Sequence, residues 1–473
     1  MLDRFEHRGL WWLPEQPDGR VGGVLTFSQD DVKLELIGLL PRPEPVPEES
    51  GEIELPSGPL SRARILGLST DGKAFTLDDC HATGFNLSSP GLVTETFAPA
   101  MIMRGAHYEP DEEVFFDELS IAYTQLDAWV ATSGFRLAPL ADGEQMGVDV
   151  SFREPEPVVA HIPGATVEIR FGWSLRDASP QRPELRVKQD SGFLLRFNEP
   201  TAFKTALDYV YQLRNLVSLG VGRPVTPTRV KGYVLPPEDA EPDPFTRLPA
   251  RKLGVDLFYR LAQVPKVKEL HPAQMLFTLP DAGERLETLL VNWFAKQELL
   301  RPVFDLYFGA VYNRQAYMEQ RFLSLMQAIE TYHRRSSDET DLPPEDHERR
   351  LEEILSATPE EHRHWLGQKL RHSNELWLQR RLDDVLARCP TVVDKLVRRR
   401  SFGYRLSAAR NYLTHYDPSL EAQAAHGVDL YPLTVQLQAL VEMCLLLELG
   451  FDCEEIDGFF ERARRYEEAN LND

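Results

Sequence analysis

The chain has 473 residues, 42% of them hydrophobic and 27% charged, and its formal net charge is −22. This length exceeds what one ordinary hydrophobic core supports, so we expect two or three domains. The composition excludes gross disorder, and the negative charge excludes a surface that coats nucleic acid indiscriminately. Any site that binds a polyanion must therefore be a local patch of positive charge.

The cysteines and the N-terminus indicate in which cellular compartment the protein resides. Cys80, Cys389, Cys444 and Cys453 form no CxxC pair and show no repeated spacing, which fits reduced thiols in an intracellular protein better than a disulfide scaffold. The N-terminus carries charges before any apolar run, so we do not expect a signal peptide. We therefore predict a cytoplasmic protein.

Residues 1–235 are predicted to form a β-rich domain. Short runs such as "GGVLTFS" and "VKLELIGLL" alternate apolar with polar residues, and turn-forming residues separate them. This pattern favours an antiparallel sandwich or a barrel-like domain, with one helix in "FKTALDYVYQLRNLVSLGVG". A linker and connecting helices are expected over 236–312, and the Pro- and acid-rich stretch 234–252 is the best linker candidate.

Residues 313–473 are predicted to form a helical domain, which makes the chain an α+β multidomain protein. In "RQAYMEQRFLSLMQAIETYHRR", apolar residues recur at the spacing of one helix face. The late apolar stretch "LTVQLQALVEMCLLLELGF" contains Gln436, Gln438, Glu442 and Glu448. A membrane span would avoid such residues, so we predict a buried helix near 430–449 and no membrane partner.

Positive charge is concentrated in one part of this domain. Residues 361–416 contain 12 Lys and Arg against 5 Asp and Glu. Such a local excess is expected where phosphates approach. The alternative is a solvated helix face whose charges pair with acidic neighbours.

The stretch "AARNYLTHYD" at 408–417 carries the candidate chemistry. In a helix, Asn411 and His415 share a face, whereas Arg410 lies roughly 140° from His415. Asp417-Pro418 should end the helix soon after His415.

Histidine transfers protons near neutral pH, and arginine offers a permanent charge and a two-pronged match to phosphate. Together they can cleave RNA without a metal. One histidine cannot readily act as acid and base at once, so a two-fold dimer that brings together two copies of Arg410 and His415 would complete the site.

Three segments resemble a known family. "RNYLTH" resembles the R-x4-6-H motif of HEPN-domain ribonucleases, which prefer a polar residue directly after the arginine. "FLSLMQAIETYHRR" resembles the first HEPN helix of the ApeA-like branch, with Glu330 and His333 in its E-x-x-H step. "GLWWLPEQPDGRVGGVLTFSQDDVKLELIGLL" resembles the start of the ApeA N-terminal domain.

The resemblance implies an anti-phage abortive-infection effector. It would be a dimeric or higher-order, metal-independent HEPN endoribonuclease without a cofactor, which cuts tRNA or other RNA to 2′,3′-cyclic phosphate ends. The N-terminal domain would restrain this activity until it senses a phage-derived trigger.

The resemblance also assigns residue roles. Arg410 would be the cation for phosphate and transition state, and His415 the proton-transfer group. Asn411 would orient the site, and Glu330 would hold Arg410 or Asn411. The run of positive charge, and not the resemblance, supplies the candidates for RNA binding: Arg398, Arg399, Arg400 and Arg405.

Two other interpretations are open. One is a non-catalytic HEPN protein that binds RNA or oligomerises; the intact Arg410 and His415 favour the enzyme over it. The other is one half of a two-component system with a nucleotidyltransferase, against which the fused N-terminal domain argues.

Overall fold

The fold is taken from a computed structural model. It describes residues 4–28, 31–41, 60–86, 91–109, 112–142, 145–176, 185–236, 251–260, 268–313, 315–397, 401–416 and 418–470. The chain divides into two compact units, which are described separately. The first consists of Met1–Ser218, Val225–Pro272 and Thr278–Gly283, and the second of Leu219–Pro224, Ala273–Phe277 and Glu284–Asp473.

A closed six-stranded barrel begins the first unit. Its strands are β1 (Phe5–Leu13), β2 (Gln16–Phe27), β3 (Val32–Ile37), β4 (Arg62–Ser69), β5 (Ala74–Asn86) and β6 (Thr94–Arg104). The order is β6-β3-β2-β1-β4-β5, and pairing of β5 with β6 closes the ring. Trp11 is fully buried, and a Cβ at Gly67 would overlap its ring, so this glycine makes room for the core tryptophan.

An open sheet continues from the barrel. Its strands are β7 (Phe115–Tyr123), β10 (Val158–Ile162), β11 (Ala165–Arg176), β12 (Arg186–Ala202), β13 (Pro227–Val234) and β14 (Leu253–Tyr259), in the order β14-β13-β7-β12-β11-β10. Strand β6 joins the two parts because one side pairs with β5, while the other pairs with β3 at 94–97 and with β14 at 101–104. Strand pairing is antiparallel throughout the described residues.

Smaller elements complete the first unit. Strands β8 (Phe135–Asp142) and β9 (Gln145–Phe152) form a separate hairpin, and the helices are α1 (Leu126–Val130), α2 (Phe203–Val221, which ends in the second unit) and α3 (Leu279–Ala282). The prediction of a barrel-like antiparallel domain is confirmed. Strand β14 was not predicted, since it lies in the segment expected to hold a linker and helices.

The second unit is helical, as predicted. Its longer helices are α4 (Leu286–Tyr312), α5 (Met318–Ser336), α6 (Pro344–Ala357), α7 (Glu360–Leu370), α8 (Leu378–Leu386), α9 (Pro390–Leu396), α10 (Phe402–His415), α11 (Leu430–Leu449), α12 (Cys453–Arg462) and α13 (Arg465–Asn470). Helix α5 buries the face that its apolar spacing predicts, namely Phe322, Leu325, Met326, Ile329 and Tyr332.

Helix α11 forms the centre of this unit. Among the described residues, the stretch Gly427–Leu449 is the one helix long and apolar enough to cross a membrane, and 78% of its most apolar window is buried. Glu442 on this helix is fully buried, where it accepts a hydrogen bond from the hydroxyl of Tyr307 (2.9 Å) and forms an ion pair with Arg465 (3.0 Å). The prediction of a buried helix fits this packing.

The prediction that all cysteines are reduced is wrong for one pair. Cys389 and Cys453 are joined by a disulfide, with their Cα atoms 5.5 Å apart and a separation of 64 positions in sequence. The other two cysteines are free and buried. Spacing along the chain could not reveal this pair, because packing of the segments around α9 and α12 brings the two residues together.

Candidate active site

The site lies where helices α5 and α10 pack together. On α10, Leu406, Ala409 and Leu413 are buried, and this spacing of three and four residues defines the packed face. Arg410 follows directly after Ala409 and therefore lies at the edge of that face. Its guanidinium reaches toward α5, with Nη2 at 3.8 Å from Oε2 of Glu330.

Glu330 lies between two arginines. Its Oε1 is 3.7 Å from Nη2 of Arg334, one turn further along α5, while its Oε2 faces Arg410. Arg334 also forms an ion pair of 2.5 Å with Glu375. The contacts with Glu330 are longer than hydrogen bonds, so neither guanidinium is tightly held by it.

A cavity of about 450 Å³ opens beside these charges. It is lined by Leu323, Met326, Gln327, Glu330, Thr331, Arg334, Arg410 and Thr414. Its wall combines apolar side chains with two guanidinium groups and one carboxylate. Such a wall can accept a phosphate through the guanidinium forks, although Glu375 neutralises part of the charge of Arg334.

Asn411 contacts the central arginine directly. Its Oδ1 accepts a hydrogen bond of 3.2 Å from Nη1 of Arg410. One guanidinium nitrogen of Arg410 therefore faces Asn411 and another faces Glu330. This geometry agrees with the roles predicted for Asn411 and Glu330, although their part in catalysis stays a prediction.

His415 is the last residue of α10 and is exposed. The helix ends because Tyr416 adopts a left-handed conformation with φ 49°, in agreement with the predicted stop; Asp417 lies outside the described residues. His415 does not line the cavity beside Arg410. The structure thus gathers Arg410, Asn411 and Glu330, and it leaves His415 open to solvent at the helix end.

The two residues of the E-x-x-H step point to different surroundings. Whereas Glu330 faces Arg410, His333 is buried, with Nε2 at 3.2 Å from Oδ2 of Asp384 and Nδ1 at 3.5 Å from Nη1 of Arg381. Burial lowers the pKa of His333, and the contact with Asp384 opposes this shift. His333 is therefore a core histidine.

The predicted RNA-binding arginines are only partly described. Arg398, Arg399 and Arg400 lie outside the described residues. Arg405 is half-buried in the first turn of α10, and its Nη1 is buried without a hydrogen-bond partner among the described residues.

Arg334 is the residue that sequence reasoning missed. It follows Glu330 by four residues, so both side chains lie on one face of α5. That spacing could have identified Arg334, because a carboxylate predicted to lie in the site, Glu330, needs a positively charged partner. Among the described residues no group of three or more His, Cys, Asp or Glu side chains could hold a metal ion; the metal-independent mechanism stays a prediction.

Two family models match this chain. The model described as ApeA N-terminal domain 1 matches residues 6–293, and the model described as Apea-like HEPN matches residues 323–455. The chain belongs to the ApeA family. The HEPN match includes most of helix α5 and all of helix α10, and with them Glu330, Arg410, Asn411 and His415. No curated protein and no solved structure matches the chain.

The ApeA architecture agrees with the resemblance read from the sequence. Its two domains are those of an anti-phage HEPN effector, and HEPN domains are generally ribonucleases that act on RNA and often dimerise. The match to the N-terminal domain extends beyond residue 235, through strand β14 and into helix α4.

Proposed function

We propose that this ApeA-family protein is an abortive-infection effector whose helical unit is a metal-independent endoribonuclease. The observation that carries the proposal is the contact of Arg410 with Glu330 and Asn411 at the wall of an open cavity. The hydrogen bond to Asn411 and the attraction of Glu330 favour one direction of the guanidinium without holding it tightly, and 34% of the Arg410 side chain is exposed. A prearranged cation of this kind suits a phosphate whose charge grows in the transition state.

The reaction would be attack of a ribose 2′-oxygen on the adjacent phosphorus. A base removes the 2′-proton, the new P–O bond forms, and the bond to the 5′-oxygen breaks while an acid protonates that oxygen. The products are a 2′,3′-cyclic phosphate and a free 5′-hydroxyl. Arg410 stabilises the charged phosphorane, and His415 transfers the proton.

A second copy of the chain would complete the site. Acid and base act on opposite sides of the phosphorus, and one imidazole cannot occupy both positions. The exposed His415 at the end of α10 is accessible to a partner subunit, and a two-fold axis near this end would pair the two histidines. We therefore propose a homodimer or a higher homo-oligomer with a composite site, whose specific activity falls when dilution dissociates it.

The sensor and the nuclease would lie in different segments of the chain. We propose that residues 1–235 carry the sensor that responds to a phage-derived trigger, that 236–312 connect, and that 313–473 carry the nuclease. The substrate would be tRNA or another cellular RNA, met in the cytoplasm. Arg405 and the segment 398–400 would add phosphate contacts.

The test is total-RNA analysis in cells that express the wild type or His415→Ala, with and without phage. Discrete fragments with the wild type alone would establish the nuclease and identify its substrate. Intact RNA in both strains, together with phage protection by both, would overturn the proposal and favour a non-catalytic RNA-binding protein.

A further inference from the structure

Three aromatic rings meet at the end of helix α10, beside His415. The ring centres of Tyr412 and Tyr416 lie 5.7 Å apart, and the ring centre of Tyr412 lies 5.7 Å from that of His426. Tyr412 is half-buried, whereas Tyr416 and His426 are exposed. We call these three residues the aromatic cluster; none of them lines the cavity beside Arg410.

Helix α10 places His415 between Arg410 and the aromatic cluster. At about 100° per residue, His415 lies about 140° around the helix axis from Arg410, and Tyr412 lies about 60° beyond His415 in the same direction. Tyr416 follows His415 directly, where the chain leaves the helix. A strand that crosses the end of α10 from Arg410 to His415 therefore reaches the aromatic cluster next.

Hydrogen bonds restrict the segments that carry the two exposed rings. The hydroxyl of Tyr404 on α10 donates a hydrogen bond of 2.9 Å to Oε1 of Gln423, three residues before His426. The backbone N–H of Tyr416 donates a hydrogen bond of 2.6 Å to the carbonyl of Tyr412. Segments that are already restricted lose less conformational entropy when a ligand binds.

We propose that the aromatic cluster binds an unpaired nucleobase of the RNA, next to the phosphate that is cleaved. This inference rests on the proposed ribonuclease function and names the part of the substrate that is recognised. Exposed aromatic rings stack on the bases of single-stranded RNA, and Tyr416 is 63% exposed. The favoured substrate is therefore a loop or another single-stranded segment, because the bases of a continuous duplex are paired and stacked on one another.

A second subunit could instead cover the exposed rings. RNA is favoured because Tyr416 adjoins His415, which has to remain accessible to the substrate. Each ring also carries a hydroxyl group or an imidazole nitrogen, so it combines a flat face for a base with a polar edge that stays hydrated. A subunit contact predicts that loss of a ring weakens oligomerisation, which the experiment also measures.

The experiment measures binding of a single-stranded oligouridine whose central base is 2-aminopurine. Every 2′-oxygen of this oligomer is methylated and cannot attack phosphorus, so the full-length wild type can be used without cleavage. The fluorescence of 2-aminopurine falls when the base stacks on another ring. A second oligomer lacks the central base and is otherwise identical. Calorimetry measures the affinity for both oligomers.

We expect Tyr416→Ala to bind the 2-aminopurine oligomer about tenfold more weakly than the wild type, with a smaller fall in fluorescence. Its affinity for the oligomer without the central base should equal that of the wild type. Tyr416→Phe keeps the ring and should stay within about twofold of the wild type. His426→Ala should also weaken binding of the 2-aminopurine oligomer. The control Tyr317→Ala, which removes a 77% exposed tyrosine directly before helix α5, should bind as the wild type does.

Three results would overturn the proposal: no binding of the 2-aminopurine oligomer to the wild type, equal affinity in Tyr416→Ala and the wild type, or an equal loss for both oligomers. If Tyr416→Ala lowers the oligomeric state in sedimentation and keeps the wild-type fall in fluorescence, the aromatic cluster is a subunit contact and the proposal is wrong. Failure of the proposed nuclease is distinguishable, because the methylated oligomer reports binding alone. RNA fragments in cells without a fall in fluorescence would exclude the base site only, and the reverse result would exclude the nuclease only.

Discussion

Oε2 of Glu330 lies 3.8 Å from the guanidinium of Arg410, and its Oε1 lies 3.7 Å from that of Arg334. One carboxylate therefore stands between two cations at the wall of the candidate active site. A carboxylate so close to an incoming phosphate repels it, so Glu330 can help the reaction only by orienting the arginines. Its effect on RNA binding and its effect on the orientation of Arg410 can be tested separately.

Replacement of Glu330 by Gln should separate the two effects. The side chain keeps its shape but loses the charge that directs Arg410, so we expect kcat to fall by about tenfold or more. KM should not rise, because a negative charge near the phosphate is removed. Cleavage of a defined RNA at several concentrations measures both. Glu319→Gln, on the first turn of the same helix, is the control. A variant with unchanged kcat would show that Glu330 orients nothing that matters to the reaction.

Arg334 should act in RNA binding. We expect Arg334→Ala to raise KM by about tenfold and to reduce the slope of log affinity against log salt by about one. Arg334→Lys should recover part of the affinity, since it retains the charge but not the fork. Arg301→Ala removes an exposed arginine of the same unit and should change neither quantity. A salt slope equal to that of the wild type would exclude a phosphate contact by Arg334.

Loss of either central residue should abolish function. We expect Arg410→Ala and His415→Ala to remove RNA cleavage, toxicity and phage protection, each reducing the cleavage rate by about 100-fold or more. Both should keep the wild-type circular dichroism spectrum and oligomeric state, because Arg410 is partly exposed and His415 exposed. Full activity of either folded variant would remove that residue from the proposed active site.

The chemistry of the product ends provides a separate test. Attack by the 2′-hydroxyl requires 2′,3′-cyclic phosphate ends, which enzymatic labelling and mass spectrometry of the fragments distinguish from free 3′-hydroxyls. A chelator should leave the rate within about twofold of its original value, since arginine supplies the charge that a metal otherwise provides. Free 3′-hydroxyl ends, or strong inhibition by the chelator, would require a different reaction.

Burial of His333 should make stability depend on pH. Burial lowers its pKa from 6.5, while Asp384 opposes the shift and Arg381 and Arg388 add to it. The unfolded state then takes up a proton at higher pH than the folded state, so this stabilisation is present above about 6.5 and is lost as pH falls from there through the lower pKa of folded His333.

Thermal unfolding at pH 7.5 and 5.5 measures the effect. The melting temperature of the wild type should fall more than that of His333→Gln, by roughly 2 to 4 °C for each kcal/mol of linkage. His362→Gln removes an exposed histidine of the same unit and should behave as the wild type. Equal falls in the wild type and His333→Gln would show that His333 does not contribute to this pH dependence.

The sequence was most informative where one helix or strand carries its own signal. The buried face of α5 and the end of α10 follow from residue spacing and from local stop signals, as does the alternation along strands such as β3. The contact of Arg410 with Glu330 was predicted only through a family resemblance, because the two residues are 80 positions apart and their meeting depends on how α5 and α10 pack.

Features formed between distant segments were missed. The disulfide of Cys389 with Cys453 and the pairing of β14 with β6 join residues that no local pattern relates. The register of β14 is set by its neighbours in the sheet and not by its own composition. Arg334 was overlooked for a different reason: the helix end holds several arginines, and only its spacing of four residues from Glu330 distinguishes it from them.

Strand β6 has no exposed edge along most of its length, because its two sides are shared by the barrel and the open sheet. The barrel cannot detach from the sheet without breaking main-chain hydrogen bonds at 101–104. The slowly exchanging backbone amides of the barrel and of the open sheet should therefore exchange together, in a single opening event. A disturbance that loosens the barrel would reach the open sheet through the backbone of one strand.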